Sequence, residues 1–195
     1  MKKYILFGNA ESVHIVKWVR ELIKYFDVFV ISSTNVHPEI SALIPRHRIF
    51  KLNMQIGAKG GNYQIIKKYY AVKSIISSIG PDFINPHYIT SHGFLLAIIS
   101  KFNLHRYKLI QSTWGTDILV TPFKNKIYHH LTKFALNQAD LITSDSDYMT
   151  EIIRKLSKSE TITFTFGLDE IPDISNSQKE ENLFYSNRML TENYN

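Results

Sequence analysis

The sequence contains no cysteine in its 195 residues, which excludes disulfides and thiolate metal sites. A reducing cytoplasm fits that composition, and a cytoplasmic chain, peripheral on the inner face of the membrane, is the expectation. Long apolar runs are also missing. Met1-Lys2-Lys3 leads into Tyr4-Ile5-Leu6-Phe7-Gly8, and Phe94-Leu95-Leu96-Ala97-Ile98-Ile99 is no longer, so neither spans a bilayer nor forms a signal-peptide core. There is no Lys/Arg block. The 23 basic residues outnumber 17 acidic ones for a net charge of +6, but they are scattered among aromatics and isoleucines. That pattern disfavours nucleic acid and favours phosphate groups or a membrane surface.

Several catalytic and cofactor signatures are absent as well. Gly8-Asn9-Ala10-Glu11-Ser12 follows a strand and opens a helix but carries one glycine, so it is no dinucleotide fingerprint. Ser32-Ser33-Thr34 lacks the acidic residue that would hold an NAD ribose. No Walker P-loop, no G-x-S-x-G elbow and no recognisable carboxylate pair occurs. His87 and His92 have the wrong spacing for one helix face and no nearby carboxylate, so no metal is expected. No resident cofactor is expected either.

What is present is alternation. Short apolar strands are expected at Tyr4–Phe7, Val28–Ile31, Ile49–Leu52, Phe83–Pro86, Lys108–Ser112, Leu141–Ser144 and Thr161–Phe166. Helical periodicity separates most of them, over about Ser12–Tyr25, Asn62–Ser78, Phe94–Phe102, Asn125–Asn137 and Tyr148–Leu156. His37-Pro38 opens a stretch read as irregular, and Gly57, Gly60 and Gly61 mark a loop. Gly80-Pro81 stops the third helix, and Ser144–Asp147 offers N-caps for the last. This pattern predicts an α/β fold with a doubly wound parallel sheet.

The helix over Asn62–Ser78 has two readings: Lys67, Lys68 and Lys73 beside Tyr63, Tyr69 and Tyr70 suit an interfacial helix, or they are lysines snorkelling from a helix packed on the sheet. Ile171–Glu181 is polar and reads as a linker, and Asn182–Arg188 reads as a fresh strand with its exit loop. The expected domains are residues 1–170, a linker over 171–182, and 183–195 as the truncated start of a second unit.

The richest stretch is Leu109–Leu119, a strand that runs into Ser112-Thr113-Trp114-Gly115-Thr116-Asp117. Ligands of open α/β sheets bind at the carboxyl ends of strands where the strand order reverses, and this loop is the expected place. Gly115 lets backbone approach a ligand, Trp114 offers a stacking face, and Asp117 can accept hydroxyl hydrogen bonds. The alternative is an ordinary turn whose Asp117 binds local N–H groups while Trp114 joins the core. Gly8 and Asn9, on a helix N-terminus, and His14 in the first helical turn are the companion candidates.

These stretches, read in order, resemble the N-terminal half of a GT-B glycosyltransferase close to glycosyltransferase family 4. Gly8–His14 resembles the first loop of that family, Pro81–His87 its "PDxxxxH" strand, Ser112–Asp117 its "xxHGxD" loop, Ala139–Ser146 its "ADxxxxxS" strand, and Phe166–Asp169 its "NGxD" end. Trp114 stands where many members have His. The resemblance implies a Rossmann-like acceptor domain. It implies retaining transfer from a nucleotide-sugar co-substrate to a sugar or lipid-linked saccharide in surface polysaccharide synthesis, with a peripheral membrane contact and no nucleic acid. Its implied substrate-binding residues are Gly8, Asn9, His14, His87, Trp114, Gly115 and Asp117, and Arg188 matches an arginine that grips the donor diphosphate; no catalytic base is assigned. The donor-binding domain is expected to be missing except for its first strand, leaving the fragment inactive alone. The alternatives are a non-catalytic acceptor-binding subunit that recruits a separate donor-binding chain, and a phosphate-binding module of another α/β family.

Overall fold

A computed structural model describes residues 1–54, 63–102 and 107–165, with Gly167, Asp173 and 181–183. Met1–Thr165 forms one compact unit and Phe166–Asn195 a second. In the second unit the described residues include an exposed turn at Glu181 and Asn182. The expected loop glycines Gly57, Gly60 and Gly61, most of the expected linker, and Arg188 lie outside the described residues.

The first unit is a seven-stranded parallel sheet in the order β3-β2-β1-β4-β5-β6-β7. Its strands are β1 Lys3–Gly8, β2 Asp27–Ser32, β3 Ile49–Lys51, β4 Phe83–Pro86, β5 Lys108–Ser112, β6 Leu141–Ser144 and β7 Glu160–Thr163. The expected doubly wound fold is therefore the observed one. Parallel strands need crossovers, and the helices supply them: α1 Val13–Leu22, α2 Pro38–Leu43, α3 Tyr69–Ile79, α4 Phe94–Lys101, α5 Thr121–Lys124, α6 Lys126–Leu136 and α7 Asp147–Leu156.

Side-chain alternation along β1 splits the core into two layers. Ile5 and Phe7 join Val72 and Ile76 of α3 and Leu95, Leu96 and Ile99 of α4 on one face. Tyr4 and Leu6 join Ile15, Val16 and Val19 of α1 and Ile40 of α2 on the other. A third cluster packs Ala135 and Leu136 of α6 and Met149 and Ile153 of α7 around Ile142.

Local signals explain the boundaries. Ser12, Asn125 and Ser146 cap α1, α6 and α7 by accepting from the N–H groups of His14, Tyr128 and Met149. Gly80, at φ +59°, ends α3 in the left-handed conformation.

Two expectations need correction. The stretch after His37 is helical: Pro38 sits in the first turn of α2, where its missing N–H costs nothing, and His37 caps it. The helix expected over Asn62–Ser78 is a 3-10 segment, Tyr63–Lys68, followed by α3. Ile65, Val72, Ile76 and Ile79 are buried in the core, so the apolar side of this segment is already covered. Tyr70, by contrast, is exposed.

Candidate functional site

The strand order reverses between β1 and β4, its two central parallel neighbours. The sequence had suggested the loop after β5 for this point; it lies one strand further along. The crevice rule therefore selects the ends of β1 and β4 first, with β5 beside them.

At the end of β1, Gly8 lies against the next strand exit. A Cβ on Gly8 would come to 3.3 Å of both His87 Cβ and Ile15 Cδ1, so glycine is what lets the His87 ring close over this strand. The following loop is tied inward. Asn9 is exposed, and its Oδ1 accepts from Thr34 Oγ1 at 2.6 Å and from the Glu11 N–H at 3.1 Å. The Ala10 N–H donates to Ser32 Oγ at 3.1 Å, that of Ser12 to the Asn9 carbonyl, and that of His14 to Ser12 Oγ. These amides already have acceptors in the loop or at the end of β2, which leaves few of them to face an anion.

His87 follows β4, held by its N–H to the Phe7 carbonyl at 2.8 Å and by a bridge to Ser112. Asn85 fixes its ring. The Asn85 amide donates to the Ile110 carbonyl at 2.7 Å and to Ser112 Oγ at 2.9 Å, and Ser112 Oγ also accepts from Thr143 Oγ1 at 2.8 Å. The Asn85 carbonyl oxygen therefore faces His87 Nε2, 3.1 Å away, which donates to it. The proton sits on Nε2 and Nδ1 is left as a buried acceptor with no partner among the described residues. Burial lowers the His87 pKa to about 3, helped by His92 and His14, so the ring is neutral.

Aromatic rings meet at this place. His14 lies 5.0 Å from Trp114, His87 5.6 Å from Trp114 and 5.4 Å from Trp18, and Trp18 5.5 Å from Phe164. Both tryptophans of the chain are in this cluster. Trp18 and Phe164 were not singled out in the sequence; Trp18 lies one helical turn past His14, and that i,i+4 spacing was the available signal. The His14 pKa is lowered by burial first and by Lys17 second.

The loops after β4 and β5 are joined by Asp117. Its carboxylate is fully buried, with Oδ2 accepting from the Ile89 N–H at 2.8 Å and Oδ1 from the Trp114 N–H at 2.9 Å. Desolvation raises its pKa to about 6 against those hydrogen bonds. Asp117 thus occupies the place of a strut beneath the rings, with its oxygens engaged by backbone. Gly115, at φ +98°, turns the chain into a π-helical segment Thr116–Val120. Tyr88, at φ +80°, does the same ahead of Ile89–Gly93, and its hydroxyl shares a 2.9 Å hydrogen bond with Thr116 Oγ1. Tyr88 was missed in the sequence, where nothing distinguishes it from a loop tyrosine. His92 is a core residue, edge-on to Phe7 at 4.7 Å. Among the described residues no group of three His, Asp or Glu side chains is placed to hold a metal.

Gly8, His14, His87, Trp114 and Asp117 therefore come together at the switch point, with Asn9 and Gly115 in the flanking loops. A neutral imidazole acceptor, half-buried aromatic faces and a braced backbone suit a polyhydroxylated ligand with apolar ring faces better than a bare anion.

A family model described as glycosyl transferase 4-like matches residues 3–146. No protein of curated function matches the chain. Among solved structures, sucrose-phosphate synthase from Thermosynechococcus elongatus matches with a TM-score of 0.65 at 13% identity, over 86% of this chain and 49% of that one. The UDP-GlcNAc 2-epimerase of Methanocaldococcus jannaschii in complex with UDP-GlcNAc and UDP gives 0.55 at 16% identity, over 80% and 43%. That of Neisseria meningitidis bound to UDP-GlcNAc gives 0.53 at 14% identity, over 80% and 43%. At these identities the likeness is one of fold, and the chain spans less than half the length of each of these structures.

Proposed function

The chain belongs to the glycosyl transferase 4-like family, and we propose that its switch-point rings form the acceptor wall of a sugar-transfer site. The reaction is transfer of a sugar from a nucleotide diphosphate donor to an acceptor hydroxyl with retained anomeric configuration. The acceptor is a sugar or lipid-linked saccharide of surface polysaccharide synthesis. The observation that carries this reading is the convergence of Gly8, His14, His87 and Trp114 at one point of the sheet.

Each residue has a part that follows from its surroundings. Trp114 stacks on a sugar face, with the His14 ring edge-on behind it. His87 Nδ1, buried and without a partner among the described residues, is the acceptor we assign to a hydroxyl of the acceptor sugar. A ring held neutral so far below its ordinary range positions a hydroxyl but is a poor base, so His87 orients the nucleophile and does not store its proton. Asp117 positions Trp114 through its N–H and does not touch the sugar. Negative charge develops on the leaving diphosphate and needs cationic or dipolar partners, which the engaged amides after Gly8 do not supply. The donor diphosphate therefore needs groups other than these amides, and Arg188, which matches the arginine of the family's diphosphate pair, is one we assign to it.

The test measures transfer of labelled sugar from a panel of nucleotide diphosphate sugars to a membrane lipid extract. It compares residues 1–195 alone with the same residues supplied with a donor lobe, either by in-frame continuation or as a separate chain. Product is expected only with the donor lobe, and Trp114→Ala is expected to lower it at least tenfold. Turnover by residues 1–195 alone, or tight binding of free nucleotide to them, contradicts the reading. A lobe that works only as a separate chain identifies an acceptor-binding subunit.

A further inference from the structure

Asn85 is a carboxamide set in an apolar layer. It stands in register with Leu6 of β1, on the side of the sheet where Tyr4, Leu6, Ile15 and Val19 pack. It is fully buried, so it touches no ligand itself. A buried carboxamide is costly unless its hydrogen bonds are made, and a leucine would fill the same place without that demand. Its hydrogen bonds lead to the His87 ring.

The carboxamide has one workable orientation. The Ile110 carbonyl, 2.7 Å away, can only accept, so the amide nitrogen must face it. Ser112 Oγ, 2.9 Å from that nitrogen, is held in turn by Thr143 Oγ1 at 2.8 Å, its register partner on β6. Turning the amide over would set Oδ1 against the Ile110 carbonyl oxygen. Oδ1 is therefore left for His87 Nε2, at 3.1 Å, and only a protonated Nε2 donates to it. His92 supplies the contrast. Its Nδ1 meets the Ser91 hydroxyl at 3.1 Å, and a hydroxyl serves either tautomer. Asn85 thus decides for His87 what nothing decides for His92 through Ser91. The ionisable groups that act on the His87 ring are His92, after β4, and His14, on α1, and neither brings a negative charge to it.

We propose that Asn85 is a specificity-determining positioning residue: by keeping the His87 proton on Nε2 it leaves Nδ1 a pure acceptor, and admits beside it only ligand groups that carry a hydrogen to donate. A free sugar hydroxyl meets that demand. A sulfate ester, a carboxylate or an O-methylated hydroxyl presents only lone pairs to the Nδ1 lone pair and is turned away. The inference rests on the acceptor-wall reading of the preceding subsection and adds the chemical form that the acceptor takes at this point.

The test is proton–nitrogen NMR of the imidazole rings in the full 195-residue chain carrying isotope-labelled histidine. The His87 signals are identified by their loss in His87→Gln. At neutral pH His87 is expected with a protonated Nε2 and a bare Nδ1. Asn85→Leu removes the acceptor and should populate both tautomers. Methyl glucoside should move the wild-type Nδ1 resonance and sulfate should leave it in place, whereas in Asn85→Leu sulfate should move it as well. Asn85→Asp, which keeps the side-chain shape, is the second variant. Its carboxylate beside the ring should raise the His87 titration midpoint by about 1–3 pH units, read from the same resonances.

A wild-type His87 protonated on Nδ1 overturns the proposal before any variant is made. So does a tautomer that Asn85→Leu leaves unchanged, or a wild-type resonance that sulfate moves and methyl glucoside does not. The ring is read without nucleotide sugar or acceptor lipid, so absence of sugar transfer leaves the tautomer result intact. Conversely, transfer by a chain whose His87 carries its proton on Nδ1 would sink this inference and spare the transferase reading.

Discussion

The loops after β4 and β5 have the same form and opposite economies. Each leaves a parallel strand, turns on one residue with positive φ, runs through a five-residue π-helical segment and enters a helix. In the β5 loop the turning residue is Gly115, which takes up φ +98° freely. In the β4 loop it is Tyr88, which at φ +80° is strained. Strain of this kind persists only where the surroundings over-determine it. They do so here: the Tyr88 N–H donates to the Ser112 carbonyl, the Tyr88 hydroxyl pairs with Thr116, and the next residue's N–H donates to Asp117. The β5 loop is the clamp, and the β4 loop, with His87 at its start, is what it clamps.

The sharpest way to break that asymmetry is to remove the clamp. Asp117→Ala leaves the Trp114 and Ile89 N–H groups buried without their acceptor and should cost about 3 kcal/mol in urea denaturation. Asp117→Asn, which keeps one acceptor oxygen, should cost less.

A second effect is expected from acid. His87 and His92 have pKa values lowered by burial to about 3 and about 4, against 6.5 for a free ring. In the folded state they bind fewer protons than in the unfolded one, so the stability they confer is complete above about pH 6.5 and is lost as pH falls towards 4. Asp117, raised to about 6, works the other way, since its folded form takes up a proton more readily and so gains stability as pH falls from 6 to 4. Two groups with larger displacements outweigh one, and the urea midpoint should fall between pH 7 and pH 4.5. His92→Gln should flatten that profile; an unchanged slope would show that the buried rings are not its source.

Smaller again is Gly115→Ala. No atom lies within 4 Å of the added Cβ, so its cost, about 1 kcal/mol or somewhat more, is backbone strain alone. Tyr88→Phe removes one exposed hydrogen bond and should cost about 0.5 kcal/mol. If Tyr88→Phe proves costlier than Asp117→Ala, the roles of clamp and clamped are reversed.

Much of this was legible in the sequence. The spans of β4, β5 and β6 follow from short apolar runs ended by Pro86, Ser112 and Ser144, and the parallel sheet follows from their alternation with helices. That Gly8, His87 and Trp114 stand at strand exits, with His14 in the first turn of the helix after β1, was legible from the same alternation. Other features were hidden for physical reasons. Pro38 reads equally as a breaker and as a first-turn residue, and only its surroundings decide. The switch point depends on strand order, which no local pattern encodes. An Asp whose carboxylate is open and one that accepts two backbone N–H groups look identical in sequence, and only the structure shows that Asp117 is buried and does the second. The strain at Tyr88 leaves no trace in composition.

The central claim is that the switch-point rings face a saccharide, and the chain's two tryptophans, Trp18 and Trp114, both lie in that wall. Their fluorescence can be followed as residues 1–195 are titrated with short isoprenoid diphosphate saccharides, free oligosaccharides and nucleoside diphosphates. The account predicts a saturable change with a saccharide-bearing ligand, abolished in Trp114→Phe, and none with nucleoside diphosphate. A saturable response to nucleoside diphosphate with none to any saccharide would contradict it.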